Sequence, residues 1–210
     1  MIKITTRPAD SPLFGQSKWW GQPDMPAELD YPEISLIDDD GEEYSDPLTF
    51  ICQLRCDELS DLDPEGMLPH QGMLYFFAAL DYFLGDTDTP AYPGLGFWQQ
   101  KYYKVLYAPS CDSLHTHSLL FDDGTPACMP PEAITFSPSD DNSQGIRMLC
   151  PPFAQEVREQ YPAMISLLQI DEDDRWNLLF HDCGMLSFLM NREHLQTRNW
   201  EETQCYLYSC

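Results

Sequence analysis

A chain of 210 residues with 43% hydrophobic content, including 11 Phe, 11 Tyr and 5 Trp, has enough apolar side chain for one domain or two closely packed halves. A domain of this size buries roughly 70% of its unfolded surface, so disulfides and metals are not needed to hold the core together. The 35 acidic and 11 basic residues give a formal net charge of -24, which disfavours nucleic acid and anionic membranes as direct partners.

The first residues, Met1-Ile2-Lys3-Ile4-Thr5-Thr6-Arg7-Pro8, contain neither a long apolar region nor a small-residue cleavage site, and they are not expected to act as a signal peptide. No run approaches the ~18 apolar residues that a spanning helix needs, and a cytoplasmic location is the expectation. In that compartment the eight cysteines read as thiols; none forms a Cys-x-x-Cys pair, and Cys52/Cys56 and Cys205/Cys210 are the closest spacings. Residues 12–32 are loop-rich, with Trp19-Trp20-Gly21-Gln22-Pro23 followed by Pro26 and Pro32. A strand is expected over 48–54, then a short helical turn at Asp57-Glu58-Leu59, where Asp57 is a good N-cap. The run 72–80 is apolar on both faces and reads as a central strand.

Residues 81–98 read as a loop, and Lys101–Tyr107 as a strand ended by Pro109. Ala133–Phe136 has strand composition, 137–145 is polar, and Phe153–Tyr161 suits a short helix before Pro162. Strands are expected over Met164–Ile170, Gly184–Met190 and Gln204–Tyr208, with a turn at Glu193–Leu195. Eighteen scattered prolines argue against long helices. The sum is a strand-rich α+β fold with mostly antiparallel sheets, in a single domain whose halves are 1–109 and 110–210.

The two halves share a phrase. Phe50-Ile51-Cys52-Gln53-Leu54 is followed by Gly72-Met73-Leu74-Tyr75-Phe76-Phe77, and Leu167-Leu168-Gln169-Ile170-Asp171 by Gly184-Met185-Leu186-Ser187-Phe188-Leu189. Each copy sets a glutamine inside an apolar strand and follows it with Gly-Met-Leu-x-Phe. An amide in such a place needs partners for both its carbonyl and its amino group. Gln53 and Gln169 therefore either tie down neighbouring backbone or line a groove between the halves.

The chemistry-bearing motifs are few. His181-Asp182-Cys183 gathers three reactive side chains, but alternation along a strand would turn Asp182 away from the other two. Asp182 reads better as a turn residue that accepts backbone N–H bonds before Gly184. His115-x-His117 supplies only two imidazoles, too few for a metal, and reads as an exposed loop. Asp61-x-Asp63-x-Glu65-Gly66 begins like a calcium loop, yet position twelve is Gly72 and Pro64 interrupts the turn. Asp38-Asp39-Asp40 and Asp171-Glu172-Asp173-Asp174 read as solvated acidic loops. No phosphate-binding glycine loop is present. Trp19 and Trp20 are either a core plug or an aromatic contact surface, with Gln22 beside them on the same loop.

Ser17-Lys18-Trp19-Trp20-Gly21-Gln22-Pro23-Asp24-Met25-Pro26 is similar to the Ser-Lys-x-Gly-Gly-x-Pro-x-x-Pro opening of the YwqG-like family. Pro47–Leu54 with 72–77, Lys104-Val105-Leu106-Tyr107, and 168–171 with 182–188 extend that resemblance over nearly the whole chain. Trp20 and His181 stand where the family often has glycine. This bacterial family has no established chemistry, so the resemblance implies an architecture and no reaction. The reading that follows is a non-catalytic acidic protein, immunity- or inhibitor-like, for a basic protein partner. No cofactor, metal ligand or catalytic residue is assigned. The alternative is a hydrolase or small-ligand protein with a pocket between the halves, carried by Asp182, His181, Gln53 and Gln169; the candidate binding residues taken together are Trp19, Trp20, Gln22, Gln53, Gln169, His181 and Asp182.

Overall fold

The computed structural model describes residues 1–38, 40–141 and 144–209; Asp39 of the acidic run, part of the 137–145 loop and Cys210 lie outside them. Among the described residues the chain forms fifteen strands. They are β1 Ile2–Pro8, β2 Lys18–Trp19, β3 Asp24–Pro26, β4 Glu33–Ile37, β5 Glu43–Pro47, β6 Thr49–Arg55, β7 Met73–Ala78 and β8 Gly96–Phe97, then β9 Tyr103–Ala108, β10 Leu114–Thr116, β11 Glu132–Pro138, β12 Arg147–Cys150, β13 Met164–Asp171, β14 Met185–Asn191 and β15 Gln204–Tyr208. Three short helices, α1 Cys56–Leu59, α2 Gln155–Gln160 and α3 Arg192–Gln196, complete a strand-rich α+β fold. No helix among the described residues is long and apolar enough to cross a membrane.

Eleven strands make one sheet in the order β8-β15-β14-β13-β12-β1-β11-β2-β6-β7-β9, with antiparallel neighbours throughout. Read outward from the central β1–β11 pair, β2-β6-β7-β9 on one side matches β12-β13-β14-β15 on the other. The match extends to detail. Lys18 pairs with Gln53 as Arg147 pairs with Gln169. The register slips once between Phe50 and Cys52 and once between Ser166 and Leu168, each slip just before the glutamine. Trp20 (φ 57°) and Leu149 (φ 51°), one residue past the equivalent Trp19 and Met148, both adopt the left-handed conformation. The central strands are exchanged: β1 borders β12 of the second half, and β11 borders β2 of the first.

Alternation explains the layers. Leu74, Phe76 and Ala78 of β7, and Leu186, Phe188 and Met190 of β14, enter one shared core. There Phe76 and Phe188 meet edge to face at 5.2 Å. On the opposite face of β7, Met73, Tyr75 and Phe77 bury against Ile34 and Leu36 of the β4–β5 hairpin. Behind β14, Leu189 is covered by Ala154 and by Val157 of α2.

Several expectations meet differences. The opening residues form β1 at the centre of the sheet; Ile2 and Ile4 are buried while Lys3 and Thr5 are exposed. The 12–32 stretch contains two short strands. His115 lies in β10, paired with Met25 of β3 rather than in a free loop. Asp57 is not the N-cap of α1: the helix starts at Cys56 behind Arg55, and Asp57 accepts from the Arg55 guanidinium at 2.8 and 2.9 Å.

Candidate binding cleft

The cleft is built on a buried carboxylate. Asp24, fully buried in β3, accepts through Oδ2 from Lys18 Nζ and the Gly15 N–H, both at 2.8 Å, and from Gln53 Nε2 at 3.1 Å. Its Oδ1 accepts from Thr116 Oγ1 at 2.8 Å. The Asp24 N–H donates to Gln53 Oε1 at 2.7 Å, and its carbonyl accepts from the Tyr75 hydroxyl at 2.7 Å. Burial alone pushes this carboxyl upward, but the bonds from Lys18, Gly15 and Thr116, with the Lys18 charge, outweigh it and hold it below the usual range. One residue thus ties β2, β6 and β10 to β3 through its carboxylate, and β7 through its backbone carbonyl.

The next turn leaves the sheet. Gly21 has φ 75°, and a Cβ on it would stand 2.9 Å from Pro131, so only glycine fits. The turn presents Gln22 to the loop of residues 118–131. Gln22 Nε2 donates to the Leu119 carbonyl at 3.2 Å, and Ser118 Oγ donates to Gln22 Oε1 at 3.0 Å. The Gly21 N–H donates to the Met129 carbonyl at 3.0 Å, and the Ala127 N–H to the Leu119 carbonyl at 2.9 Å.

Under that loop lies a cavity of about 480 Å³, walled by the Trp20–Pro23 turn, the Asp46–Phe50 segment, Asp81, Leu84, Asp86 and residues of 117–129. Among the described residues its lining carries three carboxylates, Asp46, Asp81 and Asp86, and no lysine or arginine. The lining draws on both sides of residue 109. Asp81 accepts from Thr49 Oγ1 at 2.8 Å. Burial raises the Asp81 carboxyl above its usual range, the Thr49 bond opposes this only in part, and Asp46 and Asp86 add to the rise. His117 lies against the Tyr31 ring at 4.8 Å. Tyr31 donates to the Leu48 carbonyl at 2.9 Å, and its hydroxyl is held protonated by burial. A second cavity of about 490 Å³ adjoins the first and shares Gly21, Gln22, Cys128 and Met129 with it. A third, of about 450 Å³, mixes Glu28, Asp30 and Glu33 with Lys101 and Lys104.

The sequence candidates fall in separate places. Trp20 and Gln22 line the first cavity. Trp19 and Trp20 are core: with Trp176 they form a cluster at 5.5–5.9 Å between ring centres, and the Trp176 indole donates to Glu132 at 2.9 Å. Gln53 ties backbone, since its Nε2 also donates to the Gln16 carbonyl at 2.8 Å. Gln169 is fully buried, with Cys150 Sγ at 3.7 Å from its Oε1. Both glutamines stand between residues that face the shared core (Cys52 and Leu54, Leu168 and Ile170), so their amides turn away from the seam between the halves. His181 and Asp182 are exposed elsewhere, on a loop with φ 69° at His181 and 57° at Cys183. His181 Nε2 lies 3.0 Å from the Tyr92 hydroxyl; the Asp182 N–H donates to the Ser209 hydroxyl at 3.4 Å, and that hydroxyl donates to the Asp182 carbonyl at 2.9 Å. The carboxylate that receives the Gly184 N–H belongs to Glu172, at 3.1 Å, and it also accepts from the Phe180 N–H at 2.7 Å. Among the described residues no group of three or more His, Cys, Asp or Glu side chains is placed to hold a metal ion.

Sequence reasoning on single motifs passed over Asp24, Asp46, Asp81 and Asp86, because 35 acids make any one of them look ordinary. Lys18 and Asp24 had a signal: they are the two charges in the 16–27 segment.

Fold and cleft together define a strand-rich α+β protein with an acidic cavity where the inner strand β6 begins and the chain leaves β7. The chain belongs to the family described as a domain of unknown function (DUF1963), whose model matches residues 17–148 and 135–210. No curated protein matches it.

Proposed function

We propose that this chain is a non-catalytic binding protein for a basic partner, and that the cavity beneath the 118–131 loop receives a cationic group. The observation that carries this reading is the lining of three carboxylates without a compensating lysine or arginine. Three like charges around a partly buried space cost free energy that an incoming ammonium or guanidinium would recover. The Asp81 carboxyl, displaced upward by burial and by its two acidic neighbours, is the group that gains most. Aromatic faces from Tyr31 and Phe50 in the same wall suit a cation on an apolar stem. The net charge of -24 acts at longer range by raising the association rate with any basic partner.

A cavity of about 480 Å³ is also of the size that holds a small organic molecule, and a free amine is the second reading of the same site. We further propose that the matching halves of the sheet arose by internal duplication within a YwqG-like framework. Cys52, Cys56, Cys111, Cys128, Cys150 and Cys205 are free thiols, which suits a reducing compartment such as the cytoplasm.

The test is calorimetric titration of N-acetyl-arginine amide and N-acetyl-lysine amide into the full chain at low and high salt. Binding at low salt that weakens with salt, and drops about tenfold in Asp46→Asn/Asp86→Asn, supports the reading. No heat from either probe at low salt, or equal affinity in the variant, overturns it.

A further inference from the structure

The acidic cavity has a neighbour of nearly equal volume and opposite character. The second cavity is walled by Pro12, Leu13, Phe14, Pro126, Pro130 and Pro131. Among the described residues of its wall the two charged ones, Lys18 and Asp24, are buried and committed to each other at 2.8 Å, so these present no free charge. Its proline-rich wall is stiff, which keeps the space preformed. Phe14 is 56% exposed, an unusual position for a phenylalanine with an apolar hollow beside it.

We propose that the two cavities read one extended segment of a basic partner, taking a lysine or arginine side chain in the first and a large apolar side chain in the second. This rests on the basic-partner reading and adds the chemistry of the neighbouring residue. Three observations carry it. The cavities share Gly21, Gln22, Cys128 and Met129 in their walls, so one occupant can span both. One is anionic and the other neutral and apolar, which specifies a two-part ligand. The divide holds the Gln22 amide, which has spent one N–H on Leu119 and one lone pair on Ser118. A primary amide keeps a second N–H and a second lone pair, the pair of groups that a peptide unit between two side chains would meet.

The test uses the full chain and blocked peptides carrying one arginine and one leucine, separated by no, one or two glycines, titrated calorimetrically at low salt. Companion peptides replace leucine by serine, or arginine by citrulline. The expected result is that one spacing binds best and loses about tenfold on either replacement. Phe14→Ser, at an exposed position that the fold does not need, removes the leucine preference and leaves the arginine dependence. If arginine peptides bind at every spacing with less than a twofold effect of leucine, the two-cavity inference falls and the basic-partner reading stands. A leucine preference that survives unchanged in both Phe14→Ser and Met129→Ser places the apolar contact elsewhere and also overturns the inference. If no arginine peptide binds and neither N-acetyl-arginine amide nor N-acetyl-lysine amide gives heat, both fall together.

Discussion

Asp24 is the residue on which the cleft depends, and its bonds make a sharp prediction. Asp24→Asn leaves the buried Lys18 ammonium without its counter-charge, a change expected to cost about 3 kcal/mol in urea-induced unfolding. The pH dependence has a definite sign. The carboxyl is lowered in the folded state, so it contributes stability that is complete above the ordinary carboxylate range and lost as pH falls through the folded value. The unfolding midpoint of the parent protein should therefore fall on acidification below that range, and the drop should be shallower in Asp24→Asn; equal slopes would contradict the assignment. Asp81 runs the other way. Its folded value is raised, so its ionised form opposes folding and the molecule gains stability as pH falls through that raised value. At this scale the sequence was half readable. That Gln53 pins backbone follows from an amide inside an apolar strand, but which atoms it pins depends on Gln16 and Asp24, far enough away in sequence that only the fold unites them.

Among elements, the strands with continuous apolar runs were the legible ones. β6, β7, β13 and β14 sit near their expected bounds because burial on both faces writes an unmistakable pattern. β1 and the β4–β5 hairpin were missed for a different reason. Ile2 and Ile4, and Ile34 and Leu36, alternate with exposed polar residues over too few positions to stand out from a loop. β12 opens with a buried arginine, Arg147, which reads as surface until its guanidinium is seen donating to the Asp141 and Ile146 carbonyls. The 118–131 loop is the element most exposed to a single change. Gln22→Ala removes both side-chain ties to it, yet Gln22 lies outside the core, so global stability should shift by only about 1 kcal/mol. Hydrogen exchange at residues 119–127 should nonetheless accelerate severalfold against an unchanged β7. Uniform protection across the variant would show that the loop holds itself.

For the whole molecule, the charge announced itself in the composition but its placement did not: the three carboxylates of the cavity come from β5, from the turn after β7 and from the loop beyond it. The exchange of β1 and β11 has a consequence for how the chain comes apart. Residues 1–109 alone would hold β1 with no neighbour and leave β2 bare where β11 belongs; residues 110–210 alone would have a vacancy between β11 and β12. Expressed separately, each piece should be soluble only poorly, with open sheet edges. Expressed together, they should clasp into a stable one-to-one complex, detectable by co-purification through a tag on either piece. Two pieces that fold and remain apart would refute this. The polypeptide behaves as two hands locked at the fingers, its continuity a tether on a grip that the sheet makes by itself.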